Sequence, residues 1–246
     1  MLDMLTLGWP DLNPRSVSMD YEKGLMNAFG AYFPQAQTHG CFFHLVQSVK
    51  RHIASCGLSR RYRTEPDFAL KAKQISAIAF APTHRIEEAL SALRTDLPSD
   101  LQPVLDYFED NYVGKLYMTA AGTAERRVPT FSVSMWTVYN RTLNDDSRTN
   151  NYVEAFHRSL QSLFGVDHPS LFKCEGLKMM QHTKDAQMER FISGNHLPKK
   201  RNKYVRNDLR IKRILDRTAT CPIIETLRGI AHTYDMNPSD EPPEDS

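Results

Sequence analysis

Three groups of residues in this chain have types and spacing that can do chemistry. The first is Asp20, in Ser18-Met19-Asp20-Tyr21-Glu22, an acid after a short run with apolar residues alternating at Val17 and Met19. The alternation predicts a strand over 14–19, and strand ends are where open α/β sheets present polar groups to ligands. The second is Cys41-Phe-Phe-His44, a thiol and an imidazole three positions apart. The third is Glu154, in Arg148-Thr-Asn-Asn-Tyr-Val-Glu154-Ala-Phe-His157, a carboxylate early on a helix expected from about 151 to 164.

Each has a plainer reading. An isolated Asp is a favoured helix N-cap. An isolated Glu early on a helix complements the positive end of its dipole. Cys41 and His44 are half of a zinc site, for which Cys56 and His52 are the nearest further donors; alternatively, Cys41 is a small buried hydrophobe.

A fourth feature is charge. The run KKRNKYVRNDLRIKR over 199–213 carries eight basic residues: Lys199, Lys200, Arg201, Lys203, Arg206, Arg210, Lys212 and Arg213. Such a run can track a phosphate backbone, with Tyr204 available to stack on a base. It reads equally as a solvated helix face with Val205, Leu209 and Ile211 turned inward.

These residues need elements to position them. Leu2, Leu5 and Leu7 predict a helix already under way at the first residue and stopped at Trp9-Pro10. Helical spacing continues over 21–32 and ends at Pro34. A second short apolar element, Gly40 to His44, runs into an amphipathic helix through Ile53. From Asp67 to Tyr112 the pattern is all helix, with faces at Phe68, Ala72 and Ile75, at Ile86, Leu90 and Leu93, and from Leu101 to Phe108. Periodicity fades over 114–130, which predicts a loop. Residues 132–139 suit helix or strand, 143–150 reads as a polar loop, and 172–191 as helix. The Pro-rich acidic end, 237–246, is expected to be disordered.

The whole chain has 246 residues, 41% hydrophobic and 24% charged, an ordinary globular balance, and its net charge of +2 selects no partner. No apolar run is long enough to span a bilayer. The N-terminus lacks the basic region of a secretory signal. Four cysteines without framework spacing predict a reduced, intracellular setting.

Taken together, these segments resemble the catalytic core of Mutator-like (MULE) transposases. The run MDYEKGLMNAFGAYFPQAQTHGCFFHLVQSVKRHI is similar to that family's acidic strand end, helix, and C-x-x-H element leading into a helix. The run FSVSMWTVYNRTLNDDSRTNNYVEAFHRSL is similar to its W-x-x-Y, R-T-N-N and E-x-x-H segments. ISAIAFAPTHRIEEAL, VLDYFEDNYVGKLY and LRGIAHTYD support the match, which covers roughly 5–235 in order.

The resemblance implies an α/β protein, mostly helical, with a partial RNase H-like fold and a helical insertion before the last catalytic residue. The implied organisation is a partial core over 1–66, the insertion over 67–130, the remainder of the core over 131–196, a basic extension over 197–236 and a disordered tail over 237–246. Asp20 matches the second of the family's three catalytic acids, Glu154 the third, and Cys41 and His44 its C-x-x-H element. The first acid has no counterpart, and the chain is expected to be N-terminally truncated relative to that core. Asp3 and Asp11 are the only acids before Asp20, and neither sits in a strand-like context.

The family's chemistry is metal-dependent DNA strand cleavage and transfer, with Mg²⁺ or Mn²⁺ held by Asp20 and Glu154. An in-line displacement at phosphorus uses two ions about 3.5–4 Å apart, and the missing acid is the one expected to bridge them. The expectation is therefore a transposase-derived DNA-processing domain that is catalytically incomplete, or a non-catalytic DNA-binding or regulatory protein derived from one. DNA is the expected partner, an unpaired sheet edge offers a route to a homo-oligomer, and the nucleus is the expected location.

Overall fold

A short polar strand becomes visible only through its partner. In the computed structural model, which describes residues 2–120, 122–149, 161–162, 164–165, 175–194 and 202–234, β1 (Ser16–Met19) pairs in parallel with β2 (Gln37–Gly40). Parallel strands need a long crossover. Here it contains helix α2 (Lys23–Tyr32). Helix α1 (Leu2–Gly8) precedes β1 and ends before Trp9-Pro10, as expected.

The second strand lies earlier than the sequence suggests. Gln37-Thr-His-Gly40 forms β2, while the apolar stretch after it is already helix, α3 (Phe42–Ser55), with Cys41 as its N-cap. β2 carries no hydrophobic alternation, since it packs against β1 and the short helix over Val133–Trp136 rather than against a second sheet layer.

The next part is helical, as periodicity predicts: α4 (Ser59–Thr64), α5 (Pro66–Ala77), α6 (Ile86–Asp96) and α7 (Gln102–Phe108). Pro66 opens α5 at a position where its missing N–H costs nothing. A π-turn over Glu109–Val113 ends the run at Gly114, whose φ is +94°. A Cβ at 114 would collide with the Arg127 carbonyl, so glycine is required there.

The stretch after Gly114 differs from the expected loop. β3 (Leu116–Met118) and β4 (Ala124–Arg126) form an antiparallel hairpin. Its strands are three residues each and largely exposed on both faces, so no alternating pattern marks them. Arg126 ties the hairpin down: it pairs with Glu87 of α6 at 2.6 Å and with Glu109 of the π-turn at 2.7 Å. Glu109 is buried and also paired with Arg94, so its charge is satisfied from two sides.

Two short helices, α8 (Val133–Trp136) and α9 (Tyr139–Leu143), resolve the ambiguous segment as helix. Later in the chain lie α10 (Glu175–Ile192), α11 (Asn202–Asp216) and α12 (Ile223–Ala231). One core joins α3, α5, α6, α7, the end of α11 and α12 through Leu45, Val49, Ile75, Leu93, Phe108, Leu215 and Leu227. α12 packs chiefly on α5 and α6.

The chain divides into two compact units, 1–149 with 207–246, and 150–206. The expected divisions at 66 and 130 fall inside the first unit. The described side chains of α10, in the second, are all exposed. Among the described residues no helix is long and apolar enough to cross a membrane.

Trp136 anchors the short helices to the insertion. It is fully buried, its Nε1 donates to the Tyr112 carbonyl at 2.6 Å, and its ring meets Phe108 edge-on at 5.3 Å. Trp136→Ala is expected to cost about 3–5 kcal/mol in urea unfolding, and Trp136→Phe about 1–2 kcal/mol from the lost hydrogen bond alone. Equal losses in the two variants would remove the packing role assigned to the ring.

Candidate functional site

The register of the strand pair builds the site. Met19 lies opposite Gly40, and the Cys41 amide continues the ladder by donating to the Met19 carbonyl at 2.9 Å. Asp20 and Cys41 therefore leave the carboxyl ends of adjacent strands together. Cys41 caps α3 and His44 lies in that helix's first turn. N-cap and N3 side chains meet at a helix start, the geometry a capping box exploits. The C-x-x-H spacing thus turns both donors to the strand ends.

The outcome is a cluster of three. One donor atom each from Asp20, Cys41 and His44 lies within 4.8 Å of the others. His44 Nδ1 is 3.0 Å from Asp20 Oδ1. The two atoms are close but not aligned as a hydrogen bond, and Nδ1 is a buried nitrogen without a hydrogen-bond partner. Cys41 is fully buried and outside any disulfide, His44 is partly buried, and Asp20 is half exposed.

Asp20 is not a helix cap. The N-cap of α2 is Glu22, and it makes no side-chain cap bond. Nor do His52 and Cys56 complete a site with Cys41. His52 lies in the last turn of α3, stacked on Tyr107 at 4.1 Å, and Cys56 is that helix's C-cap. Eight residues of helix from His44 to His52 span about 12 Å, too far for a shared ion. The third donor is Asp20, which spacing within one segment does not reveal because it depends on strand register.

The segment before Glu154 also reaches this end of the strands. The Arg148 carbonyl accepts from the Phe42 amide at 3.0 Å. Arg141, buried, donates to the Gly40 carbonyl at 3.2 Å and to the Ser147 carbonyl. Burial lowers its pKa from the ordinary guanidinium value, with Tyr21 and Cys41 acting in the opposite direction. Arg148 pairs with Asp208 at 2.5 Å and lies 5.7 Å from the Phe80 ring centroid. Glu154 itself lies outside the described residues, as do Lys199, Lys200 and Arg201.

Tyr21 closes the site from the other side. Its ring packs edge-on against Phe131 at 4.8 Å and Tyr112 at 5.7 Å. Burial pushes its phenol well above the usual range, so it stays protonated. The ring occupies the space where a side chain at Gly40 would project.

The basic segment forms α11, but not with the inward face expected. Ile211 and Leu215 are buried, whereas Leu209 is 50% exposed and Val205 and Tyr204 are exposed too. Lys212 is engaged with Asp145. Arg206, Arg210 and Arg213 are exposed at helical spacing on the side away from Ile211 and Leu215, and the exposed Arg217 follows. Lys203 lies on the same helix, its side chain undescribed.

The donor set decides which ion fits. Mg²⁺ and Mn²⁺ want oxygen ligands. Asp20 supplies the one carboxylate of the cluster, and its partners are sulfur and nitrogen. Among the described residues the set does not fit Mg²⁺ or Mn²⁺.

Gly40→Ala is expected to destabilise the fold by about 1–3 kcal/mol through overlap with Tyr21. Adding Tyr21→Ala should make the two changes non-additive, with Gly40→Ala nearly neutral in that background. Simple additivity in chemical unfolding would mean that the two residues do not compete for the same space. Compared with known protein families, with curated proteins and with solved structures, this chain matches none of them.

Proposed function

We propose that this chain is a transposase-derived DNA-processing domain, an RNase H-like core carrying a helical insertion, that binds DNA but does not complete strand cleavage by itself. Its main support is the meeting of three segments far apart in sequence. Asp20, the Cys41–His44 element and the stretch leading into Arg148-Thr149 converge at the carboxyl ends of a parallel strand pair. These are the segments on which the resemblance to Mutator-like transposases rests. Parallel strand ends are the usual ligand-facing edge of α/β sheets.

Incompleteness follows from charge. Two-ion phosphoryl chemistry needs several carboxylates around ions about 3.5–4 Å apart. Among the described residues Asp20 is the one acid of the cluster, and its neighbours there are softer donors. The alternative is a non-catalytic DNA-binding or regulatory protein of the same descent. In both, the exposed Arg210 and Arg213 of α11, and Arg217 just after it, would contact phosphates. A nuclear location accords with that role.

Two assays separate the possibilities. In fluorescence anisotropy with duplex DNA, affinity should fall steeply with salt. The combined R210A, R213A and R217A variant should lower the log–log slope by about 0.9 for each phosphate it no longer neutralises. A flat salt dependence would remove DNA as the partner. In plasmid nicking with Mg²⁺ or Mn²⁺, the chain should stay at background. Nicking abolished by Asp20→Ala would show a working active site and overturn the incompleteness.

A further inference from the structure

We infer that Asp20, Cys41 and His44 form a Zn²⁺ site at the junction of β1, β2 and α3. A thiol, an imidazole and a carboxylate form a ligand set suited to zinc rather than to the hard ions of phosphoryl transfer. Bond lengths of about 2.0–2.3 Å in a tetrahedron set ligand atoms about 3.3–3.7 Å apart. The present donors lie within 4.8 Å of one another, and one pair is at 3.0 Å. The remaining difference is about 1 Å, within the reach of side-chain rotation.

Three further observations converge on the same point. His44 Nδ1 is buried without an aligned hydrogen bond and faces the Asp20 carboxylate at 3.0 Å, where an ion could bridge the two. Cys41 is fully buried yet sits at a helix N-terminus, where negative charge on a cap is favourable. Its backbone is fixed by the Met19 hydrogen bond, so the residue is held at the strand ends before any ion arrives. Asp20 is half exposed, which gives the site a mouth. Among the described residues three supply ligands, three of the four positions of a tetrahedral zinc.

Such an ion would fasten the end of β1 to the start of α3. Two strands of four residues cannot hold that junction by themselves. The site stands independently of the DNA reading, since it needs only the three donors and the strand register. It also engages Asp20, so a zinc-loaded chain would not offer that acid to a hard-ion pair.

The test uses the full chain, stripped with chelator and reloaded with Zn²⁺ or Co²⁺. Elemental analysis should give one zinc per chain, surviving excess Mg²⁺. Co²⁺ should produce the intense bands of tetrahedral coordination and a thiolate charge-transfer band. Cys41→Ser should abolish the charge-transfer band. His44→Gln and Asp20→Asn should each lower bound zinc to below about a tenth per chain after gel filtration. His52→Gln, Cys56→Ser and Cys174→Ser should retain the full zinc content and the band. Should Cys41→Ser fail to fold, Asp20→Asn, at a half-exposed position, still decides the question. Failure of the unaltered chain to keep zinc, or unchanged zinc in the Asp20 and His44 variants, would overturn the site. Neither result bears on DNA affinity, which is read separately from the salt titration.

Discussion

The pairing of Met19 with Gly40 is the constraint on which the cluster of Asp20, Cys41 and His44 depends. A slip of one residue would turn Asp20 from Cys41 and move every side chain on the strand to the other face. Yet the pair is only four residues long on each side, too short to define its own register. What fixes it lies outside the sheet. Tyr21 fills the space over Gly40, Arg141 binds the Gly40 carbonyl, and the Arg148 carbonyl takes the first amide of α3. An aromatic seam then carries the constraint into the helices, from Tyr21 through Phe131 and Tyr112 to Trp136 and Phe108.

Buried polar atoms without a hydrogen bond occur both at the strand end and in the helices of the first unit. Ser18 Oγ, Tyr21 Oη, His39 Nδ1, His44 Nδ1 and one Arg148 nitrogen are buried without a hydrogen-bond partner, and all sit on or beside the two strands. Each such group costs about 1–3 kcal/mol relative to a paired one. Burial also lowers the His39 pKa, with Arg141 adding to the effect, so neutral imidazole is the favoured form there. Around the hairpin, in contrast, the buried Glu109 meets two arginines. Gln74 and Ser76 of α5 carry such atoms as well, so the feature does not by itself mark the strand edge.

Legibility in the sequence followed burial geometry. α5, α6 and α7 could be read because each buries one stripe, so Ile75, Leu90, Leu93 and Phe108 recur at helical spacing. β1 could be read from Val17 and Met19. β2 could not, because Gln37, Thr38 and His39 are held in place by a neighbour's backbone rather than by apolar faces. The hairpin was hidden for a related reason: Leu116 and Met118 stay exposed, so nothing selects a pattern. At the site, the C-x-x-H pair was plain because both donors belong to one helix start. Its third member was not, since Asp20 joins only through pairing across a crossover. On α11 the charge was legible but the buried side was not, because Val205 and Leu209 remain exposed.

Descent and present chemistry need not coincide at such an edge. The strand-end geometry is a property of the backbone, set by register and held by Tyr21 and Arg141. The ion it favours is a property of three side chains. A carboxylate surrounded by other carboxylates selects hard ions and supports phosphoryl transfer; the same carboxylate beside a thiol and an imidazole selects zinc. Asp20 sits in the second environment among the described residues. Holding Asp20 on zinc would lend the short strands a cross-link they lack while removing the one described acid that hard-ion catalysis could use. Both effects would have a single cause, the company Asp20 keeps.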